Sequence, residues 1–158
     1  MRILAPIVAF LALAVGMASA GEEPAVGQVV FVCEHGNVKS LMAASYFNQL
    51  AAQRNLPFRA VSRAAAPDSA TVPKPIVAGL HADGVDVSDF HPAKVAAADV
   101  DKAVRVVAIN TELPAGAQVD AQRVERWSDV PAASVNYAAA RESLKAHVAA
   151  LLDRLAAQ

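Results

Sequence analysis

The stretch from Gln28 to Arg54 decides the fold and reads QVVFVCEHGNVKSLMAASYFNQLAAQR. Its first five residues form a short run of β-branched and aromatic side chains, which is typical of a buried parallel strand. A polar segment, CEHGNVK, follows that run. From Ser40 onward the apolar residues fall close to helical spacing, and Ser40 itself suits the start of a helix. The stretch therefore predicts a strand, a loop and a helix in that order.

The same alternation continues along the rest of the chain. The predicted elements are a strand over Phe58–Ser62, a helix over Lys74–Ala82, a short helix over Ala93–Ala103, strands over Val104–Ile109 and Val124–Trp127, and a helix over Tyr137–Ala157. Strands that alternate with helices indicate a parallel sheet covered by helices on both faces. We therefore predict one three-layer α/β domain over residues 28–158, with a central sheet of about four strands.

Residues 1–20, MRILAPIVAFLALAVGMASA, have the features of a signal peptide. Arg2 provides the positive charge, an apolar run follows, and the small residues Ala18-Ser19-Ala20 form a cleavage pattern. The apolar run of about 15 residues is shorter than the ~20 that a spanning helix needs, so we expect no stable membrane anchor. Residues 21–27 are interpreted as a flexible lead. The chain is expected to be exported, with the periplasm as its location.

Composition excludes several classes of partner and cofactor. The net charge is −1, aromatic residues make up 5% of the chain, and no basic tract is present, so no binding to nucleic acid is expected. The histidines His81, His91 and His147 show no metal-ligand spacing, and no pattern predicts a cofactor. The single cysteine, Cys33, rules out an internal disulfide. The sequence does not indicate an oligomeric state.

The loop after the first strand is the candidate site, because ligands of open α/β sheets bind at the carboxyl ends of the strands. Backbone N–H groups and the following helix dipole would together bind a phosphate-type oxyanion or a phosphorylated substrate. They would also stabilise a Cys33 thiolate, which is the nucleophilic form of cysteine. The predicted phosphate-binding residues of the loop are Glu34, His35, Gly36, Asn37, Val38, Lys39 and Ser40. Among them, Glu34 is expected to point away from the anion, since two negative charges repel.

Lys39-Ser40 does not form the end of a nucleotide-binding Walker A loop. Cys33 and Val38 occupy the two glycine positions of that motif, and neither allows the close approach of backbone to phosphate that glycine provides.

A strand that ends in Val-Cys, a Gly-Asn pair inside the loop and a serine at the helix start resemble the C-x5-R-S loop of the low-molecular-weight protein tyrosine phosphatases. Arsenate reductases of the same fold share this loop, and the resemblance covers about residues 28–156. It implies that Cys33 is the nucleophile that attacks phosphorus and that the loop amides hold the phosphoryl oxygens. It also implies that Asn37 braces the loop and that the Ser40 hydroxyl hydrogen-bonds the thiolate.

The chain departs from the family pattern at three points. Lys39 occupies the position of the family's arginine, which removes the planar fork that grips two phosphoryl oxygens; Arg63 is a candidate to supply a guanidinium instead. No Asp-Pro pair precedes the last helix, and Asp129 is the nearest candidate for the general acid. Cys33 has no partner cysteine, so a redox relay within the chain is excluded.

These departures leave three functions to be weighed. The first is an exported phosphatase-like hydrolase of phosphotyrosine or small phosphomonoesters, with Cys33, Lys39 and Asp129 as its predicted catalytic residues. The second is a catalytically silent module that binds an oxyanion or a partner. The third is a thiol redox or arsenate-handling role that uses an external thiol.

Overall fold

The computed structural model describes residues 26–158, so the predicted signal peptide (1–20) and residues 21–25 of the predicted lead lie outside the described residues. The elements are β1 (Gly27–Cys33), α1 (Lys39–Gln53), β2 (Phe58–Ala64), α2 (Lys74–Ala82), α3 (Ala97–Asp101), β3 (Ala103–Ile109), β4 (Val124–Trp127) and α4 (Tyr137–Ala156). Two short 3-10 turns, Ala115–Ala117 and Ala121–Arg123, lie between β3 and β4.

The four strands form one parallel sheet in the order β2-β1-β3-β4, which confirms the predicted fold class. The chain first moves from β1 to β2 on one side and then crosses to β3 on the other side of β1. The direction of the strand order therefore reverses between β1 and β3. A crevice at the carboxyl ends of two such strands is where open α/β sheets bind their ligands.

Most predicted bounds differ from the observed ones by no more than two residues, but the helix predicted over Ala93–Ala103 is wrong in its extent. Residues 93–95 are extended rather than helical, and the helix is restricted to Ala97–Asp101. The cause is the edge of β2: Ala64 donates its N–H to the carbonyl of Ala93 and accepts from the N–H of Val95. The predicted lead also ends earlier than residue 27, because Gly27 already belongs to β1 and donates to the carbonyl of Pro57.

The larger apolar core lies on the face of the sheet that α1 and α4 cover. The Phe31 ring, fully buried, contacts the rings of Phe47 and Trp127 at centroid distances of 5.8 and 5.4 Å. The final helix contributes six buried residues, namely Ala140, Leu144, Val148, Leu151, Leu152 and Leu155. Alternate strand residues, such as Val30 and Val32, face a smaller core on the α3 side.

A partly buried carboxylate joins three helices beside the larger core. Asp83, just after α2, accepts hydrogen bonds from the hydroxyls of Tyr46 (2.7 Å) and Tyr137 (3.1 Å) and from Arg141 (3.2 Å). Desolvation by burial raises the pKa of Asp83, but the two tyrosine hydroxyls and the neighbouring cations outweigh it, and the pKa is lowered overall. The cluster fixes α2 against α1 and α4.

Within residues 26–158, no helix is both long and apolar enough to cross a membrane.

Candidate active site

The loop from Glu34 to Val38 turns tightly against the end of β2. Gly36 has a φ of +72°, a left-handed conformation that residues with a side chain rarely adopt. A Cβ atom at this position would lie 2.7 Å from the Cβ and 2.8 Å from the backbone nitrogen of Ala64. Glycine is therefore required both by the backbone angle and by the close approach of the loop to β2.

Cys33 is buried, with 6% of its surface exposed, and its thiol contacts Ser40. Its Sγ lies 2.9 Å from the hydroxyl of Ser40, and the Ser40 N–H donates to the same sulfur at 3.4 Å. The hydroxyl of Ser62 lies 2.9 Å from the Ser40 hydroxyl and 3.1 Å from the carbonyl oxygen of Gly36. When Ser62 donates to Ser40 and Ser40 donates to sulfur, the chain of hydrogen bonds stabilises a thiolate.

Lys39 begins α1 and reaches across the site to the end of β3. Its Nζ donates to the Oδ1 of Asn110 at 2.9 Å. Burial lowers the pKa of Lys39 from its ordinary value, while the charge on Cys33 acts in the opposite direction and raises it. Lys39 and Cys33 line the same cavity, so the site contains both a cation and a thiol.

Three further contacts tie the loop to neighbouring segments. The side chain of Asn37, nearly buried, donates to the carbonyl of Thr71 at 2.9 Å. His35 Nδ1 lies 3.1 Å from a carboxylate oxygen of Asp68. The carboxylate of Glu34 accepts a hydrogen bond from the hydroxyl of Thr111 at 3.1 Å. Asn37 therefore braces the loop by its contact with the segment that precedes α2.

The loop opens into a cavity of about 370 Å³. One wall consists of the loop side chains Cys33, Glu34, His35, Asn37, Val38 and Lys39. The remaining lining comes from the start of α2, the end of β3 and the segment before α4, and it includes Pro73, Pro75, Ile76, Ile109, Asn110, Ala132, Ala133 and Ser134. The site thus combines a polar floor with mainly apolar walls, which is the usual composition of a small-molecule pocket.

The structure directs the Arg63 side chain away from the loop. Its guanidinium forms a 2.8 Å ion pair with Asp99 of α3. The register explains this direction: Ser62 is paired with Phe31 and shares its face, whereas Arg63 is paired with Val32 and faces the smaller core. The idea that Arg63 supplies the missing guanidinium is therefore not supported by its contacts.

Asp129 also has a partner outside the cavity. Its carboxylate lies 3.0 Å from Nε2 of His147, whose ring stacks on Trp127 at a centroid distance of 4.7 Å. Asp129 is exposed and is not among the residues that line the cavity. These contacts do not bring its carboxylate to the oxygen of a leaving group, as a general acid requires.

Sequence reasoning missed three residues of the site: Ser62, Asn110 and Thr111. Asn110 and Thr111 are the first polar residues after a buried apolar strand, and a polar residue at the carboxyl end of a parallel strand is a usable signal. Ser62 carries no such signal, because its place beside Ser40 depends on the register of β2 against β1.

Across residues 26–158, no three His, Cys, Asp or Glu side chains are grouped so as to hold a metal ion.

Comparison with solved structures identifies the fold. The structure is similar to a low-molecular-weight protein tyrosine phosphatase from T. tengcongensis, with a TM-score of 0.68 and 20% identity over 81% of this chain and 99% of that chain. The chain has the fold of the low-molecular-weight protein tyrosine phosphatases. Neither a family model nor a curated protein matches the sequence.

Two other structures with this fold carry different activities in their names. An arsenate reductase in the phosphate-binding state matches with a TM-score of 0.67 and 19% identity over 82% of this chain and 98% of its own. The YwlE arginine phosphatase from Geobacillus stearothermophilus matches with a TM-score of 0.66 and 17% identity over 83% of this chain and 94% of its own. The tyrosine phosphatase fold thus carries several chemistries, and the residues of the site must decide between them.

Proposed function

We propose that the chain is a phosphatase-like hydrolase that acts on phosphotyrosine or small phosphomonoesters through a phosphocysteine intermediate. The observation that carries this proposal is the environment of Cys33. Its sulfur accepts a hydrogen bond from the N–H of Ser40 and lies 2.9 Å from the Ser40 hydroxyl, in a cavity that Lys39 also lines. A cysteine that needed only to fill the core would not need hydrogen-bond donors and a cation beside it.

The proposed reaction has two steps. The Cys33 thiolate attacks phosphorus, an S–P bond forms, and the P–O bond to the leaving group breaks with its electron pair on oxygen. Water then attacks phosphorus, the S–P bond breaks, and inorganic phosphate and the thiolate are released. The amides at the start of α1 and the Lys39 ammonium would stabilise the charge that spreads over the equatorial oxygens.

The source of the proton for the leaving group follows from the contacts of Asp129. Because that carboxylate is bonded to His147 outside the cavity, we assign the proton to solvent rather than to Asp129. The rate should then depend steeply on the leaving group, and aryl phosphates, whose leaving groups are weak bases, should react faster than alkyl phosphates. The apolar walls of the cavity suit the organic part of such a substrate.

Single-turnover hydrolysis of p-nitrophenyl phosphate by the full chain tests the proposal. We expect a burst of p-nitrophenol and, after acid quench, a phosphoryl adduct on the Cys33 peptide by mass spectrometry. Cys33→Ser should abolish both signals. Lys39→Met should slow the burst by about a hundredfold, whereas Lys39→Arg should accelerate it, because the guanidinium contacts two oxygens at once.

A second measurement separates catalysis from binding. Inorganic phosphate should protect Cys33 from alkylation by iodoacetamide if the loop binds an oxyanion. Protection without a burst or an adduct would show an oxyanion-binding module rather than an enzyme. The absence of protection, of burst and of adduct would refute the assignment of the loop itself.

Export is a separate proposal that rests on residues 1–20 alone. Expression of the full chain in a Gram-negative host should give a periplasmic product whose N-terminus, by sequencing, lies near Gly21. A product that retains Arg2 and stays with the cytoplasmic fraction would contradict this proposal.

A further inference from the structure

The turn after β3 holds Asn110 in a fixed orientation. Asn110 has a left-handed backbone with a φ of +49°, which asparagine tolerates better than most residues. Its backbone N–H donates to the carbonyl of Trp127 at 2.9 Å, and its Nδ2 donates to the carbonyl of Ser128 at 2.9 Å. With Nδ2 turned toward the segment after β4, Oδ1 is turned toward Lys39.

Lys39 has a particular need for such a partner. A lysine ammonium is a point charge on a flexible four-carbon stem, and it lacks the planar fork that orients an arginine against an oxyanion. Its side chain loses conformational freedom when it is held in one place, and this loss opposes the binding of an anion. The bond to Asn110 uses one of the three ammonium protons and leaves two for an anion in the cavity, which both residues line.

We propose that Asn110 is a positioning residue that holds the Lys39 ammonium at the anion-binding loop, so that a lysine fixed by a second side chain orients the phosphoryl group. This inference rests on the proposed function, because it names the residue that makes Lys39 effective at the same site. Asn110 acts through Lys39, and its contribution therefore vanishes when Lys39 carries no charge.

The test measures phosphate affinity from the protection of Cys33 against iodoacetamide, a readout that does not require turnover. Asn110→Gly keeps the left-handed backbone and removes Oδ1. We expect it to weaken phosphate binding by roughly three- to tenfold, the effect of releasing one partly immobilised lysine side chain. Asn55→Gly is the matched control, since Asn55 is also left-handed, with a φ of +53°, but follows α1 and does not line the cavity.

Two further variants distinguish positioning from a general structural role. Asn110→Asp preserves the size of the side chain and its tolerance of the left-handed backbone, but it places a carboxylate on the ammonium. Positioning predicts that Asn110→Asp weakens phosphate binding more than Asn110→Gly does, whereas a purely structural role predicts the reverse. In a Lys39→Met background, Asn110→Gly should change the phosphate affinity less than about twofold.

The outcomes separate the inference from the function on which it rests. Phosphate protection in the native chain, with equal affinity in Asn110→Gly, would refute the role of Asn110 and leave the phosphatase proposal intact. An equal loss of affinity with and without Lys39 would refute it as well. No protection in the native chain would overturn both proposals. Weakening that depends on Lys39 and is absent from Asn55→Gly would establish the positioning role.

Discussion

Substitution of Gly36 by alanine tests most directly whether the loop geometry creates the site. Two costs can be worked out from the structure. The φ of +72° places an alanine in the left-handed region at a cost of about 1–2 kcal/mol. The added Cβ would also meet the Cβ and backbone nitrogen of Ala64 at 2.7 and 2.8 Å, and overpacking of this kind costs about 1–3 kcal/mol. Together they predict a loss of about 2–5 kcal/mol in unfolding free energy.

Gly84 provides a matched control for the backbone term. Its φ is +79°, but a Cβ there would find only the end of the Gln49 side chain within 4 Å, at a distance of 3.8 Å. Gly84→Ala should therefore cost about 1–2 kcal/mol, from backbone strain alone. The difference between the two variants isolates the contact between the loop and β2.

Urea denaturation measures the stability of both variants, and phosphate protection of Cys33 measures the site. Gly36→Ala should lose protection, because the loop must move away from β2 and carries its amides with it. Gly84→Ala should keep the protection of the native chain. The reasoning fails if Gly36→Ala binds phosphate with native affinity, or if the two variants are destabilised equally.

Three other substitutions follow from the contacts described above. Asp83→Asn should lower the free energy of unfolding by about 2 kcal/mol at neutral pH. Because folding lowers the pKa of Asp83, the ionised carboxylate stabilises the fold above its unfolded-state pKa, and this stabilisation is lost as the pH falls through its folded-state pKa. Urea denaturation at several pH values should therefore show that acid destabilises the variant less than the native chain. Arg63→Met should lower the midpoint of thermal unfolding, because it removes the ion pair with Asp99. It should reduce the phosphate protection of Cys33 far less than Lys39→Met does, because the Arg63 guanidinium does not face the loop. Asp129→Asn should slow aryl and alkyl phosphate hydrolysis by the same small factor, and a selective loss of alkyl phosphate turnover would show that Asp129 is the acid after all.

The sequence predicts the elements that local patterns specify. The β-branched run before Cys33, the polar loop after it and the regular apolar spacing of the last helix all gave the elements seen in the structure, with boundaries shifted by one or two residues. The extended segment at residues 93–95 was predicted as helix because its pairing with Ala64 is nonlocal. Alanine-rich segments favour helix by propensity, and here the tertiary hydrogen bonds of an edge strand override that preference.

The side-chain directions at the site could not be read from the sequence, because they depend on strand register. A shift of one residue between β2 and β1 would exchange Ser62 and Arg63 and would place the guanidinium on the side of Cys33. Asn110 is separated from Lys39 by the whole of β2, α2, α3 and β3. Only the strand order, with β3 directly beside β1, brings the two residues together.

A loop that carries an ammonium is organised differently from one that carries a guanidinium. An arginine carries its own geometry, since its planar fork orients two hydrogen bonds without help from neighbours. A lysine needs that geometry from outside, and here the turn after β3 provides it through Asn110. The same turn holds Glu34 through Thr111, while the segment before α2 holds Asn37. Because the loop is anchored at several places, an anion would meet groups that are already in position. The placement of Lys39 would therefore add to the effect of its charge, and the anchor at Asn110 should matter for phosphate affinity only while Lys39 carries that charge.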